Sequence, residues 1–316
     1  MIHLLFTGGT ISMRRDASAG GNVPAHGGEA LVGMAPGIER IAPLRVEDWA
    51  RLPACHLDQD RLWALRERVR AIADSGEASG IVITHGTDVL EETAYLLDRT
   101  LDPAVPVVLT GAMLTAGDTA WDGARNLRDA VAVAASPESR GRGALVVFNG
   151  EVLAGAAAAK THATDVAAFS APHAGPVGRV DGSGVAFRVP ADRRPAPVSP
   201  SRLDARVGLV PAVLGDDGHL LDLARAGHDG VVLEAFGSGN APPGLVPAVE
   251  RWLAEGKPVV LSSRCLFGEV APAYAFEGGG ARLVRMGVTP AGPRTTAQAR
   301  MELTICLSAG VPYGRR

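Results

Sequence analysis

Short, solidly apolar runs punctuate the chain, and each closes in glycine or a small polar residue. Leu4-Leu5-Phe6 leads into Thr7-Gly8, Ile81-Val82-Ile83 into Thr84, Val107-Val108-Leu109 into Thr110-Gly111, and Leu145-Val146-Val147-Phe148 into Asn149-Gly150. Runs without apolar/polar alternation are what strands show when both sheet faces are buried. Between them apolar residues recur at helical spacing, at Leu62, Leu65, Val69 and Ile72, then from Val89 to Leu97, then from Ala124 to Ala135. This alternation predicts an α/β protein: a parallel sheet flanked by helices.

The pattern breaks once. Residues 189–204 carry Pro190, Pro195, Pro197 and Pro200 among Arg, Asp and Ser, a composition suited to neither a helix nor a central strand. We place a linker there, between a large domain over residues 1–188 and a smaller α/β domain over residues 205–316. In the second domain Val231-Val232-Leu233 and Val259-Val260-Leu261 read as strands, with helices around Pro247 to Glu255 and Thr296 to Ser308. The tail from Val311 to Arg316 reads as a frayed end.

Composition narrows the partners. The 316 residues are 47% hydrophobic and 21% charged, enough apolar surface to build cores, and the formal net charge of −3 leaves no basic excess for nucleic acid. No stretch approaches the roughly 20 apolar residues of a membrane span, and the N-terminus shows no cationic leader, so a soluble cytoplasmic protein is expected. Cys55, Cys265 and Cys306 are odd in number and unpaired in spacing, which fits buried thiols in a reducing compartment. Histidines and cysteines form no metal-binding pattern, so neither a metal nor a cofactor is expected.

In open α/β sheets ligands bind beyond the carboxyl ends of the strands, so the residues that close the apolar runs are the ones to search. Thr7-Gly8-Gly9-Thr10-Ile11 is a glycine turn that lets the backbone approach a ligand, but it is not a phosphate loop. Thr84-His85-Gly86-Thr87-Asp88 lies at a strand end just before a helix, and Asp88 with Glu91 has the spacing of a capping box. A helix start there would aim backbone amides at an anion or a developing oxyanion. His85 reads as a packed or hydrogen-bonded side chain. The third signal is Lys160, one of only two lysines among 31 basic residues, the other being Lys257. An ammonium can give up its proton when desolvated and a guanidinium cannot, so a lysine kept in an arginine-rich chain is a candidate acid–base group.

Together the first two clusters resemble the two signature motifs of the bacterial-type L-asparaginase family. The similarity continues in order through Gly111-Ala112-Met113, Asp122-Gly123-Ala124-Arg125-Asn126-Leu127 and Lys160-Thr161-His162. Weaker echoes follow in Gly237-Ser238-Gly239-Asn240 and Ser262-Ser263-Arg264. The resemblance implies hydrolysis of asparagine to aspartate and ammonia through a covalent acyl-enzyme, with Thr10 as nucleophile. Thr87, Asp88 and Lys160 would form a second catalytic group, Lys160 supporting Thr87 and Asp88 holding the substrate α-amino group. Gly9, Gly86 and Ala112 would line the substrate, with oxyanion donors among the amides near Thr87 and Ala112. The family also implies a homo-oligomer, a dimer or tetramer with shared active sites.

Two departures stand out. The loop from Ser12 to Glu29 contains no tyrosine, where the family carries one that hydrogen-bonds the nucleophile; its glycines instead suit a flexible lid. At the family's α-carboxylate position this chain offers Cys55 and His56, with Asp58 and Gln59 as further candidates. Glu269 and Glu277 are the candidates for an acidic residue supplied to a neighbouring subunit. Two alternatives follow: the same fold acting on glutamine, a D-amino acid or another amide, or a non-catalytic amino-acid-binding protein.

Overall fold

The computed structural model describes residues 1–191 and 194–314 and divides into two compact units, Met1–Pro197 and Val198–Arg316. Asp192 and Arg193, within the expected linker, lie outside the described residues, as do Arg315 and Arg316 at the tail.

The first unit contains, in order, β1 (Ile2–Gly8), β2 (Met13–Asp16), β3 (Gly21–Pro24), α1 (Gly28–Gly33), β4 (Leu44–Leu52), α2 (Gln59–Asp74), β5 (Gly80–Thr84), α3 (Leu90–Thr100), β6 (Val107–Thr110), α4 (Gly123–Ala135), β7 (Ala144–Phe148), β8 (Glu151–Ala154), β9 (Ala159–Lys160), β10 (Phe169–Ser170), β11 (Gly178–Asp181) and β12 (Gly184–Phe187). Eight of these strands form one sheet in the order β12-β11-β8-β7-β6-β5-β1-β4. The five from β7 to β4 run parallel, as the apolar runs predict, whereas β8, β11 and β12 extend the sheet antiparallel.

Strand periodicity divides the central runs between two cores. Leu5, Ile81, Ile83, Val107 and Leu109 face α2 and α3 residues such as Leu65, Val69, Leu90 and Leu97. Ile2, Leu4, Phe6, Val82 and Val108 face the opposite way, against Leu31 of α1 and Leu127 and Val131 of α4. The edge strand β4 has no solid apolar run: Leu44 and Val46 pack against one core and Trp49 against the other, but charged residues share both faces and none of its residues is fully buried. Its Glu47 accepts hydrogen bonds from Arg68 Nε at 2.8 Å and lies 2.9 Å from Nε2 of the buried His3, tying the edge to β1 and α2.

The second unit contains β13 (Val207–Pro211), α5 (His219–Arg225), β14 (Gly230–Ala235), α6 (Val246–Ala254), β15 (Val259–Ser263), α7 (Gly280–Met286), β16 (Thr289–Pro290) and α8 (Thr296–Ser308). Its four strands form a parallel sheet in chain order. Trp252 is fully buried in its core and donates its indole N–H to the Leu221 carbonyl at 2.9 Å. Thr295 and Gln298 cap α8 reciprocally.

Two expectations are corrected. Only Cys306 is buried, while Cys55 and Cys265 are exposed thiols on loops. The tail is not frayed at Tyr313, whose hydroxyl donates to the Ala291 carbonyl at 3.1 Å and whose ring lies 5.5 Å from the Arg294 guanidinium. Among the described residues no helix is long and apolar enough to cross a membrane.

Candidate active site

The turns that leave β1, β5 and β6 meet at the carboxyl edge of the sheet, joined by the short turn Ala54–His56 that follows β4. What lets them meet is the absence of side chains. Gly9 has φ +85°, and a Cβ built on it would lie 2.4 Å from Cα of Gly86. Gly86 in turn faces Ala54, whose Cβ would be 2.6 Å from a Cβ at Gly86, and a Cβ on Gly111 would lie 2.5 Å from the His85 carbonyl oxygen. Gly9→Ala is therefore expected to cost about 2–4 kcal/mol of stability, from the left-handed backbone and a clash with backbone that cannot move aside. It should also lower activity at least ~10-fold by forcing apart the turns that carry Thr10 and Thr87. Thermal unfolding and turnover of the variant check both.

Thr10 opens a single 3-10 turn, Thr10–Ser12, held by Ser12 Oγ donating to the Gly9 carbonyl at 2.9 Å and by the Gly9 amide donating to the Leu52 carbonyl at 3.1 Å. Its own side chain is partly exposed, and its hydroxyl makes no hydrogen bond among the described residues.

Thr87 is buried, and Lys160 Nζ donates to its hydroxyl at 2.9 Å and reaches Asp88 Oδ1 at 3.3 Å. Lys160 comes from β9, a two-residue strand paired with β10, 73 positions from Thr87 along the chain. The residue that holds it there is Glu91, whose Oε2 accepts the Lys160 backbone N–H at 2.7 Å. This corrects the capping-box reading of Asp88 and Glu91. The N-cap of α3 is Val89, with no side-chain cap bond, and both carboxylates instead face Lys160. The S/T/D-x-x-E spacing fits a local contact equally well, so nothing in the local order of residues reveals that Glu91 serves a distant strand.

His85 is fully buried and bridged, with Nδ1 2.8 Å from the Gly86 carbonyl oxygen and Nε2 3.0 Å from Thr93 Oγ1. Burial pushes its pKa down to about 4, so it is a neutral structural side chain, as its sequence context suggests.

Behind Ala112, which is buried, the motif Asp122 to Leu127 acts as a backbone clamp. Asp122 accepts from the Met113 and Leu114 amides at 3.0 Å each, and the buried Asn126 donates to the Gly111 carbonyl at 3.0 Å while accepting from the Asn149 amide at 3.0 Å. Cys55 and His56 are both exposed on the turn that Gly86 touches through Ala54. Asp58 is occupied as the N-cap of α2, accepting the Arg61 amide at 2.8 Å, and Gln59 begins that helix. The loop expected to be a glycine-rich lid is a hairpin of β2 and β3, joined at its base by the Ala25 and His26 amides donating to the Ser12 carbonyl at 3.0 Å each. No group of three His, Cys, Asp or Glu side chains suited to a metal occurs among the described residues.

Comparison with known proteins places the chain in a family. Family profiles described as Asparaginase, N-terminal and Glutaminase/Asparaginase C-terminal domain match residues 1–193 and 206–313. The chain belongs to the asparaginase family. It is thus an amidohydrolase of the asparaginase type, acting on a carbon–nitrogen amide bond. Among its relatives in the family, a probable L-asparaginase of Deinococcus radiodurans is 38% identical, over 97% of this chain and 92% of that protein. An L-asparaginase of Bacillus licheniformis is 32% identical, over 98% and 95% of the two chains. The crystal structure of a probable cytoplasmic L-asparaginase from Campylobacter jejuni superposes with a TM-score of 0.85 at 28% identity, covering 97% of this chain and 94% of the other.

Proposed function

We propose that the chain hydrolyses the side-chain amide of L-asparagine to L-aspartate and ammonia through a covalent acyl-enzyme on Thr10. The observation that carries this reading is the contact of Lys160 Nζ with Thr87 Oγ1 and Asp88, next to the glycine contact that brings the Thr10 turn against Gly86. Thr10 supplies the attacking oxygen. Its place on a turn at the sheet edge, unencumbered by a hydrogen bond of its own, leaves the hydroxyl available to a carbonyl carbon. Lys160 and Thr87 supply a path for the proton that must leave the attacking oxygen and reach the departing nitrogen. Asp88, half-exposed, offers a carboxylate for the substrate α-amino group, and the 54–56 turn with Cys55 and His56 faces the α-carboxylate. Amides near Thr87 and Ala112, the latter clamped by Asp122 and Asn126, supply the oxyanion donors.

We further infer an oligomer, a dimer or tetramer, in which a neighbouring subunit completes the site. The segment holding Glu269 and Glu277 also exposes Leu266, Phe267, Tyr274 and Phe276, a surface suited to cover by a second copy. A cytoplasmic location accords with three free thiols, two of them exposed.

Ammonia release from L-asparagine, with L-glutamine beside it, tests the reading. Turnover of asparagine is expected. Ammonia from glutamine alone would move the substrate assignment, and a heat of asparagine binding without ammonia would establish a binding protein instead.

A further inference from the structure

The hairpin that follows the Thr10 turn leans onto the loop after β6. The Ala116 amide donates to the Met13 carbonyl at 3.0 Å, and a Cβ at Gly117 would lie 3.9 Å from Cβ of Arg14. Between hairpin and loop lies an open cavity of about 530 Å³, lined by Arg14, Arg15, Asn22, Met113, Leu114 and Asp118 among others. Ammonia, the leaving group of asparagine, needs no such space; volumes of this order hold whole small ligands.

The charge of the lining is equally uneven. Arg14 and Arg15 form no salt bridge among the described residues, whereas the single acidic residue, Asp118, has one oxygen occupied by the Ala120 amide at 2.9 Å. Arg14 acts on the nearby Asp16 carboxylate only at a distance, and two adjacent guanidinium groups outside any salt bridge suit a carboxylate, which a guanidinium binds through paired N–H donors.

Sheet order sets the direction. β4 and β6 flank the central pair β1 and β5, so the 54–56 turn lies on one side of the Thr10 and Thr87 turns and the cavity on the other. A substrate bound with its α-substituents toward Asp88 and the 54–56 turn would extend its amide nitrogen toward the β6 side, where Met113 lines the cavity.

We propose that this cavity takes the leaving-group side of β-aspartyl amides whose nitrogen carries an acidic substituent, so that the enzyme also cleaves β-aspartyl dipeptides. The inference rests on the amidohydrolase reading above and extends it to the substrate class. In the reaction Thr10 Oγ bonds to the side-chain carbonyl carbon, the C–N bond breaks, and the nitrogen takes up the Thr10 proton and departs as the free amine of an amino acid. Water then cleaves the ester, so that amide plus water gives L-aspartate and that amino acid. Arg14 and Arg15 act here as specificity residues for the extended substrate, with no part in asparagine turnover.

The test measures aspartate release from L-asparagine, β-L-aspartylglycine and β-L-aspartylglycinamide, the last matched in size but lacking the carboxylate. The dipeptide is expected to be cleaved with kcat/KM at least ~10-fold above the glycinamide, the range over which one pocket contact discriminates. The Arg14→Ala/Arg15→Ala double variant should lose that advantage and keep asparagine turnover within about twofold. Its thermal unfolding, compared with the parent, reads folding separately. An intact dipeptide beside turned-over asparagine overturns this inference alone, as does equal cleavage of dipeptide and glycinamide or an equal loss on all substrates in the double variant. Failure on asparagine and dipeptide together overturns the amidohydrolase reading as well.

Discussion

Thr10→Ala is expected to reduce ammonia release from L-asparagine by at least ~10⁴-fold, a loss of about 5.5 kcal/mol of transition-state stabilisation. The effect should be confined to chemistry. The 3-10 turn is held by Ser12 Oγ and by the Gly9 amide, neither of which involves the Thr10 side chain, so removing that hydroxyl leaves the turn its hydrogen bonds. The variant should unfold within about 2 °C of the parent, since a partly exposed side chain without partners contributes little to stability. Steady-state ammonia assays and a thermal scan on the same preparation separate the two. Residual activity within ~10-fold of the parent would remove Thr10 as nucleophile and leave Thr87 as the hydroxyl to examine.

Lys160→Met is expected to lower kcat by about 10³-fold while changing KM little, the size of effect typical of a lost acid–base group. The ammonium is the one cation within hydrogen-bond distance of the Thr87 hydroxyl, at 2.9 Å, among the described residues, and it also faces Asp88 at 3.3 Å. Methionine keeps the aliphatic stem and removes the proton-carrying nitrogen, so packing around β9 is preserved and the Glu91 bond to the Lys160 backbone amide survives. Lys160→Arg tests the chemistry rather than the charge. It restores a positive group beside Asp88 but replaces a nitrogen that can exchange its proton with one that cannot, and its planar fork does not fit the position of a single donor. Little recovery of kcat in the arginine variant is the expected result, and near-complete recovery would show that Lys160 serves only as a fixed charge.

Much of this site is legible in the amino-acid order. Thr10, Thr87 and Ala112 stand directly after strands whose apolar runs are unmistakable, and sheet physics places such positions at the ligand-binding edge. Lys160 is conspicuous as one of two lysines. What was illegible is equally particular. Glu91 has the local spacing of a helix cap, yet it bonds a strand 69 positions away. β4 mixes charged with apolar residues and, unlike the central strands, shows no solid run, because an edge strand is only partly covered and tolerates charge on both faces. The hairpin of β2 and β3 is rich in glycine and charge, and its pairing depends on a turn whose Asp16 side chain accepts the Ser18 and Ala19 amides at 2.9 Å each.

By itself, then, the sequence determined the α/β class, the central strands, the change of composition ahead of the second unit and the residue types available for chemistry. These are consequences of local periodicity and of burial on both sheet faces, which leave their mark on consecutive residues. Only the tertiary structure decided that Gly9 lies against Gly86 and that Lys160 reaches Thr87, because contacts between residues 73 to 77 positions apart depend on strand order and crossover geometry rather than on any local preference. The exposure of Cys55 and Cys265 and the open cavity beside Arg14 and Arg15 belong to the same class, since burial is a property of what the fold places over a residue.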